Sequence, residues 1–241
     1  MNLIDVETPD GTAEAYLTGL GPGVLLFIDA IGLRPQIARM ADRIGAWGYT
    51  VLAPNTLYRS GTAAETSPAG DLRAPGAREA FFEQVGPRLE ALSPAAQLRD
   101  IPAYLAALRE HSGSGEVRVV GYCMGARLAV RAASLDPAVV AAAGFHGGGL
   151  VTDDPDSPHL GIPSARAEFV FGHADHDRGM PPEAVERLGR VLADAGLTAT
   201  NEIYPDSPHG YSMDDTSMYH QPGAERSFTE LRALLDRTLR A

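Results

Sequence analysis

The chain has little of three features that separate broad classes of protein: cysteine, long apolar runs and basic residues. Its 241 residues include one cysteine, so no disulfide can form within the chain. The longest aliphatic run, Val24–Ile28, is far too short to span a bilayer. Twenty Lys and Arg residues stand against 31 Asp and Glu, which gives a net charge of −11. Such an acidic chain is poorly suited to bind nucleic acid or an anionic membrane surface.

The rest of the composition is that of an ordinary globular protein. Hydrophobic residues make up 44% of the chain, which is enough for a sizeable core. The length suits one α/β domain, so we predict a single domain over residues 1–241. The N-terminal residues lack the basic and apolar regions of a signal peptide. With a lone free thiol, these features predict a soluble protein in the reducing cytoplasm.

Short apolar runs alternate with amphipathic stretches, which predicts a mostly parallel sheet with helices on both faces. The predicted strands are 13–17, 24–29, 50–53, 117–121, 140–145, 167–172 and 199–204. The predicted helices are 35–47, 77–92, 95–111, 123–134, 181–195 and 223–239. Right-handed crossovers bring the strand-to-helix loops to one sheet edge, where sites form. Two long loops on this edge, 54–76 and 147–166, are predicted to wall a substrate site.

The single cysteine, Cys123, lies in a motif with a specific backbone requirement. Residues 121–125 read Gly-Tyr-Cys-Met-Gly, after a β-branched apolar run and before a helix-favouring stretch. Strand, sharp turn and helix, with a nucleophile at the turn, is the context of a nucleophile elbow. Glycines two residues either side leave room where larger side chains would clash. The alternative is a buried structural thiol, since free cysteine is among the most buried residue types.

An acid and a histidine follow later strands in the order that a catalytic triad needs. Asp175 comes three residues past the end of one predicted strand, and His209 comes just past the next. Nucleophile, acid and histidine is the chain order of α/β-hydrolases. His209 would hold the proton of Cys123, and the acid would fix the tautomer of the imidazole ring. We predict Asp175 as this acid, with Asp177 as the alternative.

With these motifs in place, the chain resembles the dienelactone hydrolase family of α/β-hydrolases over most of its length. The stretches that carry the resemblance are 29–35, 54–59, 121–125, 172–175 and 204–210. The resemblance implies an α/β-hydrolase fold and a triad of Cys123, Asp175 and His209. It also implies hydrolysis of small esters or lactones through a thioester, with no metal or organic cofactor.

The resemblance further implies roles for residues around the triad. The oxyanion hole should use the backbone N–H of Met124, directly after the nucleophile, and that of Ala30 in the first strand-to-helix loop. Many members of the family carry a glutamate where Asp29 stands, and it approaches the resting thiol. The alternative for the shorter Asp29 is a carboxylate that accepts bonds from the following turn.

The arginines of the family's carboxylate site are only partly present. In the enzyme that names the family, two arginines hold the substrate carboxylate, one of them four residues after the histidine. That position is Met213 here. The other could correspond to Arg78, and Arg59 and Arg73 are near it in sequence. We therefore expect carboxylated dienelactone to be a poorer substrate than small neutral esters or lactones.

Three other interpretations fit parts of the sequence. Cysteine amidotransferases share the Gly-x-Cys-x-Gly frame but place an acid two residues after their histidine, where this chain has Tyr211. Asp and His residues cluster within 153–159 and 173–177, but without the spacing of known metal motifs. A non-catalytic small-molecule binding protein on the same fold is the third, because fold does not fix function. The sequence leaves the oligomeric state open.

Overall fold

The computed structural model describes residues 1–239, which form one eight-stranded sheet flanked by helices. The strands are β1 (Leu3–Thr8), β2 (Gly11–Thr18), β3 (Gly23–Phe27), β4 (Thr50–Pro54), β5 (Val117–Tyr122), β6 (Val139–Phe145), β7 (Glu168–Ala174) and β8 (Ala199–Tyr204). The helices are α1 (Pro35–Gly45), α2 (Ala63–Thr66), α3 (Ala77–Phe82), α4 (Gly86–Ala91), α5 (Pro94–Ser112), α6 (Gly125–Leu135), α7 (Pro182–Asp194) and α8 (Gln221–Arg237). Two 3₁₀ turns, Tyr58–Ser60 and Pro158–Ser164, complete the order.

The sheet order is β1-β2-β4-β3-β5-β6-β7-β8, and of these eight strands only β2 runs antiparallel to the others. Every residue of β3, β4 and β5 is buried, as is typical of parallel strands covered on both faces. Strand β4 pairs on one side of β3, and the next strand, β5, pairs on the other side. Because both crossover connections are right-handed, α1 and α5 lie on opposite faces of the sheet. The predicted α/β-hydrolase fold is confirmed.

The elements differ from the sequence-based prediction at several places. Strand β1 was not predicted, because it lies at the sheet edge and buries only Val6. The helix predicted at 77–92 is broken into α3 and α4, since Pro87 in the first turn of α4 has no N–H to continue a helix. The helix predicted from residue 123 begins at Gly125, because the backbone of Cys123 is not helical.

Parallel pairing places the carboxyl ends of five neighbouring strands side by side. Strands β3, β5, β6, β7 and β8 are adjacent, and their following loops meet at one edge of the sheet. Those loops carry Asp29, Cys123, His146, Asp177 and His209, in that order. This edge therefore holds most of the chemistry-bearing residues predicted from the sequence. Within residues 1–239, no helix is long and apolar enough to cross a membrane.

Candidate active site

Cys123 lies on a strained turn between β5 and α6. Its φ of +53° falls in the left-handed region that non-glycine residues rarely adopt. A Cβ atom on Gly121 would collide with the carbonyl oxygen of Gly125, and one on Gly125 would collide with that of Phe27. Both glycines are therefore required for the turn to close. This is the elbow geometry that the motif predicts.

His209 connects the thiol to a carboxylate. Its Nε2 lies 3.0 Å from Cys123 Sγ, and its Nδ1 lies 2.6 Å from Asp177 Oδ2. The Asp177 side chain is 7% exposed, and its other oxygen accepts a hydrogen bond from the N–H of Gly179 at 2.8 Å. Thiol, imidazole and carboxylate are thus joined by hydrogen bonds, which is the arrangement that a catalytic triad requires.

The prediction that Asp175 contacts His209 is wrong. The Asp175 carboxylate instead accepts hydrogen bonds from the backbone N–H groups of His176 and Asp206, both at 3.0 Å. The reason is that β7 extends to Ala174, two residues beyond its predicted end. Asp175 is consequently the first residue after the strand. Asp177 lies three residues past the end of the strand, which is the offset predicted for Asp175.

The three side chains hold one another in their charged forms. Burial alone would raise the pKa of Cys123, but the charge and hydrogen bond of His209 outweigh it, so the thiol pKa is lowered. Burial would lower the pKa of His209, yet the Cys123 thiolate and the Asp177 carboxylate raise it well above its usual range. A backbone hydrogen bond from Met124, at the start of α6, also favours the thiolate. Both shifts favour a thiolate–imidazolium pair over a neutral thiol and a neutral imidazole.

Cys123 and His209 line a small cavity. The space open to the centre of a water molecule is about 50 Å³. Its walls are Asp29, Ala30, Ile31, Arg78, Phe82, Cys123, His146, His209, Gly210, Met213 and Thr216. A wider cleft of about 1040 Å³ adjoins it, and Arg78 and His209 line both.

A sequence model of the dienelactone hydrolase family matches residues 13–239. The chain belongs to the dienelactone hydrolase family. It is 23% identical over 243 residues to a Salmonella typhi protein named "Putative carboxymethylenebutenolidase", covering 91% of this chain and 86% of that one. It is 26% identical over 220 residues to the carboxymethylenebutenolidase of Rhodococcus opacus, covering 88% and 81%.

A solved structure supports the same fold. The crystal structure of a "Putative Dienelactone Hydrolase" from Klebsiella pneumoniae superposes with a TM-score of 0.78 at 21% identity. The match covers 98% of this chain and 97% of that one. At such low identity this likeness concerns the fold, and the roles of individual residues have to be argued from their own geometry.

Of the residues that the family resemblance placed around substrate, Asp29, Ala30, Arg78 and Met213 line the cavity. Both oxygens of Asp29 accept hydrogen bonds from Arg34, and Oδ1 also accepts one from the N–H of Ile31 at 3.1 Å. The structure therefore agrees with the interpretation in which the Asp29 carboxylate accepts a hydrogen bond from the following turn.

The prediction of Arg59 as a substrate contact is wrong. Its guanidinium donates to the buried Asp100 at 2.7 Å and also pairs with Asp10, so it fastens the loop after β4 to α5 and to the β1–β2 turn. Arg73 is exposed and pairs with Asp71. Both arginines are near other predicted site residues in sequence, but neither lines the cavity, because each guanidinium is ion-paired to an aspartate outside it.

Sequence analysis did not single out His146, which lies fully buried beside the triad. Its Nε2 is 2.7 Å from Ser212 Oγ, and its ring packs edge-on against that of His209 with centroids 5.4 Å apart. Burial, and then the charge of His209, hold the pKa of His146 well below its ordinary value, so it is neutral. The rule of inspecting residues just past strand ends could have found it, since β6 ends at Phe145.

The two Asp and His clusters do not gather around a common point. In the part of the chain that the structure describes, no three His, Cys, Asp or Glu side chains are arranged to hold a metal ion. His159 Nδ1 is 2.7 Å from Ser157 Oγ, and Asp153 pairs with Arg187 at 3.0 Å. His173 Nε2 is 2.7 Å from Asn201 Oδ1.

Proposed function

We propose that this protein hydrolyses small carboxylic esters or lactones, with Cys123 as nucleophile, His209 as general acid and base, and Asp177 as the acid that orients His209. The observation that supports this most directly is the unbroken contact from thiol to imidazole to carboxylate, with distances of 3.0 and 2.6 Å. Membership of a hydrolase family supports the same reaction class.

In the first half-reaction the Cys123 thiolate attacks the carbonyl carbon of the substrate. A carbon–sulfur bond forms, and the carbonyl electron pair moves onto oxygen. Backbone N–H groups of Met124 and Ala30 would receive this oxyanion, each donor contributing about 3 kcal/mol. When the intermediate collapses, His209 gives its Nε2 proton to the departing alkoxide, leaving a thioester on the enzyme.

In the second half-reaction water takes the place of the leaving alcohol. Neutral His209 removes a proton from the water as its oxygen attacks the thioester carbonyl. The thiolate leaves with the electron pair of the carbon–sulfur bond, and the acid product departs. Asp177 stabilises the imidazolium that forms at each step and keeps Nδ1 protonated, so that Nε2 faces the reacting atoms.

A test without mutation uses a chromogenic short-chain ester. We expect hydrolysis to survive a chelator and to stop after treatment with iodoacetamide or peroxide, because an accessible low-pKa thiolate alkylates and oxidises readily. Turnover is measured before and after each treatment. Loss of activity in EDTA, restored by a divalent ion, would contradict the proposed chemistry. Binding of the ester without turnover would instead indicate a binding protein.

The charge lining the cavity predicts a preference among substrates. Within the described residues Arg78 has no ion pair, and its guanidinium lies over the Phe82 ring at 4.6 Å. Met213 presents an apolar wall where the family places a second arginine. One charged hydrogen-bonded contact fewer costs about 1.5–3 kcal/mol, so a carboxylated lactone should gain about 10- to 150-fold less in kcat/KM here than at a site with both arginines. We therefore expect a neutral ester of similar size to be the better substrate.

The matched comparison uses two arginines of the same loop region. Replacing Arg78 with Met should weaken only the carboxylated substrate, and replacing the exposed Arg73 with Met should change neither. A wild-type protein that prefers the carboxylated lactone tenfold or more would show that another cation serves the pocket.

A further inference from the structure

Arg34 is the most deeply buried cation near the thiol, with 2% of its surface exposed. Its two terminal nitrogens donate to the two oxygens of Asp29, at 2.7 and 3.0 Å. Its Nε and Nη2 donate to the carboxylate of Asp215, at 2.6 and 3.1 Å. A fork of this kind is the strongest pairing available to a carboxylate in a protein interior.

Asp29 and Cys123 line the same small cavity. A negative charge there disfavours a second negative charge on sulfur, and Asp29 accordingly acts to raise the pKa of Cys123. An unpaired carboxylate at this position would therefore oppose the thiolate that attacks the substrate. The bidentate pair with Arg34 places a positive charge in direct contact with Asp29.

The remaining charged and titratable groups around the thiol come from four other parts of the fold. They are His209 after β8, with Asp177 behind it, His146 after β6, and Arg78 on α3. His209 favours the thiolate, Arg78 is a cation on the cavity wall that stacks on Phe82, and His146 is neutral. Asp29 is thus the one negative side chain on the cavity wall among the described residues.

We propose that Arg34 is a positioning residue that neutralises Asp29 and thereby keeps the Cys123 thiol deprotonated in the resting protein. The proton lies on Nε2 of His209 before any substrate is bound, so no substrate-induced movement of Asp29 is needed to activate the nucleophile. The proposal rests on the proposed role of Cys123 as nucleophile.

The experiment measures the rate of alkylation of Cys123 by iodoacetamide as a function of pH in the full-length protein. Arg34→Met should move the midpoint of this profile up by about one pH unit, which makes alkylation about tenfold slower below the midpoint. The double variant Asp29→Asn, Arg34→Met removes both charges and should return the midpoint to within about 0.3 units of wild type. A purely structural role for Arg34 would not be rescued by this second change.

Two controls separate the charge effect from loss of packing. Arg59→Met removes a partly buried, ion-paired arginine that does not line the cavity, and should lower the melting temperature without moving the midpoint. Asp215→Asn removes the other carboxylate that pairs with Arg34 but keeps the Asp29 pair, and should not raise the midpoint. A wild-type midpoint in Arg34→Met, or a persistent shift in the double variant, overturns the proposal.

The single variant Asp29→Asn keeps the proposal testable if Arg34→Met does not fold. It leaves the Arg34 charge beside the cavity without its carboxylate, so the midpoint should fall. An unchanged or higher midpoint overturns the proposal. Alkylation reads the thiol without turnover, so a failed catalytic role for Cys123, seen as retained hydrolysis in its alanine variant, is distinguishable from a failed role for Arg34.

Discussion

Replacing Cys123 with Ala should reduce ester hydrolysis by about 10⁴- to 10⁶-fold and leave the protein folded. The change removes the only sulfur nucleophile in the chain, and the neighbouring His209 then has nothing to activate. The fold should survive because a Cβ atom remains, and the strained turn is held by the two flanking glycines. Initial rates with a chromogenic ester and a thermal unfolding curve are the two measurements.

The matched control is Ser134→Ala on α6, the helix that follows the elbow. Ser134 donates to the carbonyl of Val130 within the helix and touches no triad member, so its loss should change the rate less than twofold. The His209 pKa gives a second readout in the Cys123→Ala variant. The thiolate charge is the largest influence that raises it, so NMR titration should show a lower value. If the Cys123→Ala protein kept a tenth of wild-type turnover, Cys123 would not be the nucleophile.

Replacing Asp177 with Asn should cost about 10³- to 10⁴-fold in kcat, because an amide in place of the carboxylate no longer fixes the His209 tautomer or stabilises the imidazolium. The distance of 2.6 Å to Nδ1 makes this carboxylate the direct partner of the ring. Steady-state kinetics with the same chromogenic ester measures the loss. The pH profile should change as well, since the carboxylate helps to raise the His209 pKa.

Asp175→Asn is the natural control because it alters the same loop by the same chemistry. Its oxygens accept hydrogen bonds from the backbone N–H groups of His176 and Asp206, and Oδ1 lies 3.7 Å from Nε2 of the exposed His176. The variant should therefore lose about 1 kcal/mol of stability and less than tenfold in rate. If Asp175→Asn loses most of its kcat and Asp177→Asn keeps nearly all of it, Asp175 is the acid that orients His209 and the assignment of Asp177 is wrong.

The two aspartates show where a sequence pattern stops being sufficient. The rule that places a catalytic acid a few residues past a strand depends on where that strand ends. The end of β7 is set by its pairing with β8, where Ala174 lies opposite Tyr204. That register comes from residues thirty positions away, so apolar content near residue 172 could not reveal it.

Arg34 and Arg59 make the same point for charged side chains. Arg34 pairs with Asp215 across 181 positions of the sequence, and Arg59 pairs with Asp100 across 41. Each guanidinium could satisfy several carboxylates in this acidic chain. Which one it meets depends on how the loops pack, and this decides that Arg34 supports the site and Arg59 does not.

The sequence by itself determined the elbow, the order of the triad elements and the fold class. These follow from short-range physics: steric limits at a turn, hydrophobic periodicity and the handedness of crossovers. Only the tertiary structure decided which carboxylate meets His209, that Asp29 is held by Arg34, and that His146 lies against the triad. Those outcomes depend on strand register and on side-chain pairing between distant loops, and neither leaves a local signature in the chain.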